Sequence, residues 1–169
     1  MVPDTSGGEI VTQTADIHGS DDLAHWHKTL APIAFNRAWE LLDRSELSTE
    51  EEEEMLAAAF AQRYHWYEVG EARNWAIAEW QISRVTAVLG YADLSRRFAF
   101  RSLEVAQAHN LGPFLEGFGH EAIARAAAVV DDVETFTEHL NEARAMVGAI
   151  DDAEERQTLE ADLDEMAGE

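Results

Sequence analysis

The sequence predicts an all-α fold made of three stacked helical hairpins and a C-terminal capping helix. Three observations predict it. Apolar residues recur with helical spacing nearly throughout, and only three prolines interrupt 169 residues (Pro3, Pro32, Pro113). Helix-stopping residues fall at regular places: Gly70, Gly90 and Gly112. One nine-residue pattern also occurs three times. Its copies begin Phe35-Asn36-Arg37-Ala38, Ile82-Ser83-Arg84-Val85 and Ile123-Ala124-Arg125-Ala126, and end on Asp43, Gly90 and Asp131. The second and third copies lie 41 residues apart and the first lies 47 before the second. A helical pattern with that period means hairpins that stack to bury a continuous core.

Each helix has a local reason to start and stop. The first is expected over residues 21–43, with Ser20 as N-cap and Pro32 as an internal kink. Ser48 or Thr49 caps the second, whose first turn holds the run Glu50 to Glu54; carboxylates favour the positive end of the helix dipole. That helix ends near Val69 at Gly70. The third spans residues 71–89 and stops at Gly90, and the fourth spans 92–109. Pro113 suits the first turn of the fifth, which reaches Val130. Asp131 or Asp132 caps the sixth, to about Val147. Asp151 with Glu154 has capping-box spacing and opens a seventh helix, to about Met166. Its apolar side is Leu159, Leu163 and Met166 and the rest is mostly acidic, as the end of a stack requires. Residues 1–19 are polar and read as a flexible tail, and residues 20–169 as one helical-repeat domain.

After Gly90 come Ser95, Ala99 and Ser102 at offsets of five, nine and twelve; after Asp131, Phe136, Leu140 and Ala143 stand at the same offsets. This pattern resembles the second half of a tetratricopeptide unit. The stretches Tyr64-His65-Trp66, Ile82-Ser83-Arg84-Val85 and Gly119-His120-Glu121-Ala122 also resemble uncharacterised bacterial tetratricopeptide-like proteins. The resemblance covers about residues 22–165. It implies a tetratricopeptide-like α-hairpin array (an α-solenoid) with a binding role, and it carries no enzymatic activity.

Charge and composition narrow the partners. There are 34 acidic residues against 12 basic ones, a net charge of -22, and Lys28 is the only lysine. Such a field repels nucleic acid and anionic membrane. It fits life at high salt or a GC-rich genome. The absence of cysteine removes disulfides, thiolate nucleophiles and Cys-ligated metals. No apolar run approaches the roughly 20 residues that span a bilayer, and the polar start is unlike a secretory signal. The expected location is cytoplasmic.

The candidate site is the repeated arginine. On a helical wheel, Ala78, Ile82, Val85 and Leu89 form the core face of the third helix, and Arg84 lies well away with Ile77, Trp80 and Val88. The matching set in the fifth helix is Phe118, Glu121, Arg125 and Val129; in the first it is Leu30, Ile33, Arg37 and Leu41, after Trp26. Stacked first helices line a concave surface. The three stripes then make one groove, with Arg37, Arg84 and Arg125 in a row about 10 Å apart. Forked guanidinium donors suit carboxylate or phosphate. The expected binding residues are Arg37, Trp80, Arg84, Phe118, Glu121 and Arg125, for a peptide or protein segment. An anionic, partly apolar small molecule is the alternative, and a second copy of the chain is another. The competing assignment is structural: Arg37 paired with Glu40, Arg84 with Glu79 or Glu121, Arg125 with Glu121.

No catalytic or metal site is expected, and no cofactor. His25 and His27 are two apart and point to different sides of a helix, and no HExxH motif occurs. A site assembled from His27, His65, Glu68 and Glu79 is the weaker metal reading. The aromatic cluster Tyr64-His65-Trp66-Tyr67 reads better as packing between the first two hairpins than as a stacking platform. His120 with Glu121 and Arg125 has no nucleophile beside it.

Overall fold

A computed structural model describes residues 20–168. Residues 1–19, expected as a tail, lie outside the described residues. Seven helices follow in order: α1 Ser20–Leu42, α2 Thr49–Val69, α3 Ala72–Val88, α4 Ala92–Ala108, α5 Pro113–Ala128, α6 Val133–Val147 and α7 Ala153–Ala167. Among the described residues there is no strand, and no helix is long and apolar enough to cross a membrane.

The ends follow capping chemistry, with two differences from the sequence reading, at Ser20 and at Asp152. Ser20 lies inside α1 and does not precede it. Ser48 caps α2 in a reciprocal box with Glu51. Asp132, and not Asp131, caps α6 by accepting from the Thr135 backbone N–H. Asp152 caps α7 by accepting from the N–H groups of Glu154 and Glu155, so the expected Asp151–Glu154 box does not form. Asp152 stands one residue nearer the helix and reaches both orphan donors. Pro32 is exposed inside α1, which runs on without a break.

In the second and third copies of the repeated pattern the last position has a physical meaning; Asp43, which ends the first, does not share it. Gly90 has φ +75° and Asp131 φ +56°, both left-handed. Tyr91 N–H donates to Thr86 O and Asp132 N–H to Ala127 O, the six-to-one bond that closes a helix when the preceding residue is left-handed. Glycine accepts that conformation freely and aspartate tolerates it. Gly70 is a different case: its φ is ordinary, at -87°, and a Cβ there would lie 2.6 Å from Trp66 O.

α1 packs on α2, α3 on α4 and α5 on α6, as three hairpins. α2 also packs on α3, α4 on α5 and α3 on α5, and α7 lies against α5 and α6. α1 barely touches α3. One core joins the first two hairpins through Leu41, Met55, Ile82, Val85 and Phe98. Another lies under α7, where Leu159 and Leu163 bury against Phe118, Leu140 and Ala143. Alanine and serine line many contacts, which lets helix backbones approach. Ser83 Oγ donates to Ser95 O at 2.9 Å and Ser95 Oγ to Ser83 O at 3.0 Å, a reciprocal clasp between α3 and α4.

Candidate functional site

The stripes of α3 and α5 meet. Trp80 packs edge-on against Phe118, with ring centres 5.2 Å apart, and its indole Nε1 donates to Glu121 Oε2 at 2.8 Å. Glu121 is fully buried. Arg125 Nε donates to its other oxygen at 2.7 Å; Arg125 Nη2 lies 2.5 Å from that oxygen, poorly aligned for a second hydrogen bond. Arg84 stands 4.0 Å from Glu121 and donates to Asp162 of α7 at 3.0 Å, with Glu165 at 3.8 Å. The Arg84 guanidinium also lies over the rings of Trp39 and Trp80, at 5.4 and 5.6 Å.

The stripe of α1 does not join them. Arg37 turns toward α2, where Nε and Nη2 donate to Glu54 at 2.8 and 2.9 Å, and Nη1 donates to Glu40 at 3.0 Å. The physical reason is the rotation of α1. Its buried side, with His27, Ala31, Ala38 and Leu41, faces the hairpin interior, and Trp39 is the residue that approaches α3, 5.6 Å from Trp80. Arg84 and Arg125 therefore share a neighbourhood through Glu121, and Arg37 sits apart. Each of the three arginines meets a carboxylate of its own chain.

Beside this network lies a pocket of about 230 Å³. Its wall comes from five helices: Trp39 of α1, Ala76, Ile77 and Trp80 of α3, Ser102 of α4, Phe114, Leu115 and Phe118 of α5, and Thr158 of α7. The hydroxyls in this wall are engaged elsewhere. Ser102 Oγ donates to Ala76 O and Thr158 Oγ1 to Glu154 O. Trp80 likewise spends its N–H on Glu121. What remains facing the space is apolar. Of the six residues expected at the site, Trp80 and Phe118 line the pocket and Arg84, Glu121 and Arg125 lie behind them. The expectation missed Trp39, Phe114 and Thr158, because nothing in the helical period says which helices converge.

A second polar centre joins α2, α3 and α4. Glu79 is fully buried. It accepts from Arg63 Nε at 3.0 Å and Arg63 Nη2 at 2.8 Å, pairs with Arg101 at 3.2 Å, and accepts a short hydrogen bond from the Tyr67 hydroxyl. Burial, with Glu79 beside it, raises the Tyr67 pKa. The Glu79 hydrogen bond raises that of Arg63.

Two histidine pairs tie the outer hairpins. His27 Nδ1 lies 2.8 Å from His65 Nδ1, and His120 Nδ1 lies 2.9 Å from His139 Nδ1. In each pair one ring donates and the other accepts, so the two rings hold different tautomers. His27 and His65 thus do come together, while Glu79 is committed to its arginines. Among the described residues no group of three or more metal-ligating side chains converges.

Burial, and then the neighbouring His27, lowers the His65 pKa below its ordinary 6.5. Burial, and then His139, lowers that of His120, against a smaller opposite pull from Glu142 and Glu138. A base whose folded pKa is depressed gives stability that is fully present above the unfolded value and lost as pH falls through the folded one. We expect wild type to lose stability relative to a His65→Gln/His120→Gln variant as pH drops from 7 to 5. Carboxylate protonation acts on both proteins and cancels in the difference. A difference that stays flat over that range, in denaturant titrations, contradicts the assignment.

No protein-family model matches this chain, and neither a curated protein nor a solved structure matches it.

Proposed function

We propose that the chain is a non-enzymatic binding module, a tetratricopeptide-like α-hairpin array whose pocket takes a bulky apolar side chain from a peptide or protein segment. The pocket between Trp39, Ile77, Trp80, Phe114 and Phe118 carries this reading. Its volume of about 230 Å³ exceeds the cavity of about 150 Å³ that suffices for benzene, and its wall presents almost no unspent polar group. A space of that kind rewards an aromatic or branched side chain and penalises a charge. The arginines frame the site without serving as its anion receptor, since each is neutralised within the chain. The buried carboxylates Glu79 and Glu121 are likewise held by arginines, which leaves them no proton-transfer task. The net charge of -22 favours lysine or arginine beside the anchor.

Selection of displayed random peptides against the folded chain tests this. Enriched sequences should carry Trp, Phe or Leu flanked by basic residues, and should fail on Ile77→Trp, which fills the pocket from its partly exposed edge. Enrichment of acidic peptides, or binding that ignores Ile77→Trp, contradicts the reading. A small apolar molecule is the second reading, favoured by the convergence of five helices around one space. It is supported if indole raises the melting temperature while no peptide is enriched.

A further inference from the structure

We infer that α1 is a self-association surface, through which two copies of the chain pair antiparallel. α1 carries an outer stripe of Leu23, Trp26, Leu30 and Ile33, all exposed, with Trp26 at 55% and Ile33 at 58%. The spacing of three, four and three residues is that of a helix–helix seam. Its buried side is already used against α2. At the other end of the molecule α7 covers the last hairpin with Leu159 and Leu163 and turns acidic residues outward. Among the described residues α1 has no such cover, and a contiguous apolar stripe marks an interaction surface.

Charge selects the occupant. Residues 23–39 contain no Asp or Glu, the longest acid-free run in a chain with 34 acidic residues. Two copies of net charge -22 repel over most approaches, and residues 23–39 are the stretch of α1 that brings no carboxylate of its own to the contact. The apolar stripe also fits itself. In an antiparallel pairing centred near Leu30, Trp26 of one copy falls opposite Ile33 of the other, and the reverse holds by symmetry. At each end of the seam Asp22 of one copy then lies toward Arg37 of the other, which already holds Glu40 and Glu54, so the repulsion left there is what added salt must screen. Pro32 is on a different side of the helix from the stripe and does not obstruct it.

The test is the solution mass of the full chain by sedimentation equilibrium in about 1 M sodium chloride, where repulsion is screened beyond about 3 Å. The expected mass is twice 18.9 kDa. Ile33→Glu should raise the dissociation constant by more than about 100-fold, with an unchanged helical circular dichroism spectrum; Trp26→Glu replaces it if that spectrum is lost. The chain has no cysteine, so single introduced thiols report the register cleanly. Leu30→Cys should oxidise to a covalent dimer. Leu23→Cys should not, because antiparallel pairing holds its two copies about 20 Å apart along the axis. A monomeric wild type, a dimer that survives Ile33→Glu, or equal cross-linking through Leu23→Cys overturns the proposal. None of these outcomes depends on the pocket.

Discussion

Glu79→Ala should cost about 3 kcal/mol of stability, near the lower end for breaking a buried ion pair. The carboxylate is fully buried and collects Arg63, Arg101 and Tyr67 from two neighbouring helices. Its removal leaves two guanidinium groups and a phenol around an empty space. Arg101 is partly exposed and recovers water, which holds the figure down. In a domain of this size the loss lowers the melting temperature by about 6–12 °C. Glu79→Gln should cost less, because the amide oxygen still accepts from Arg63. Arg84→Ala should also cost less, about 1 kcal/mol, since Glu121 keeps Arg125 and Trp80 and Asp162 is partly exposed. Thermal or denaturant unfolding of the three variants checks the order. A Glu79→Ala protein as stable as wild type removes the claim that this centre holds the first two hairpins together.

Gly119→Ala should destabilise by about 2 kcal/mol, although alanine is the better helix former by about 1 kcal/mol. A Cβ at Gly119 would lie 2.7 Å from Leu103 Cα and 2.8 Å from its Cβ, so backbone, and with it α4, must move. Gly117 in the same helix is the control. A Cβ there meets Leu159 Cδ2 at 2.6 Å, the far end of a side chain that can rotate. Gly117→Ala should therefore stay within about 1 kcal/mol of wild type. Unfolding midpoints of the two variants decide it, and equal midpoints mean that α4 and α5 are not locked at Gly119.

The helices were legible because their signals are local. Gly90 and Asp131 occupy the same place in the repeated pattern, and both turn left-handed to end a helix. Pro113 opens α5 and Gly70 ends α2, as residue type alone implies. Adjacent aspartates compete for one cap: the choice between Asp131 and Asp132 stayed open, and Asp152 took the place expected for Asp151. The site was only half legible. Trp80, Phe118, Arg84, Glu121 and Arg125 do gather, since their spacing puts them on facing stripes of α3 and α5. Arg37 was misplaced because the rotation of α1 depends on its packing against α2, which a single-helix wheel does not contain. Glu79 was missed as a centre because its partners stand at 63, 67 and 101, on three turns of two other helices. The interior glycines 117 and 119 were a readable sign of close helix approach, since glycine is costly inside a helix without such a reason.

The most direct test of the binding pocket is a nuclear magnetic resonance titration of the full chain with N-acetyl-tryptophanamide, an uncharged stand-in for an apolar anchor. Shifts are expected at the indole N–H signals of Trp39 and Trp80 and at the Ile77 methyls, and should vanish in Ile77→Trp. Shifts confined to Val88, Tyr91 and Val130 on the outer surface, or no saturable shift at all, would contradict the pocket as the place where this protein binds.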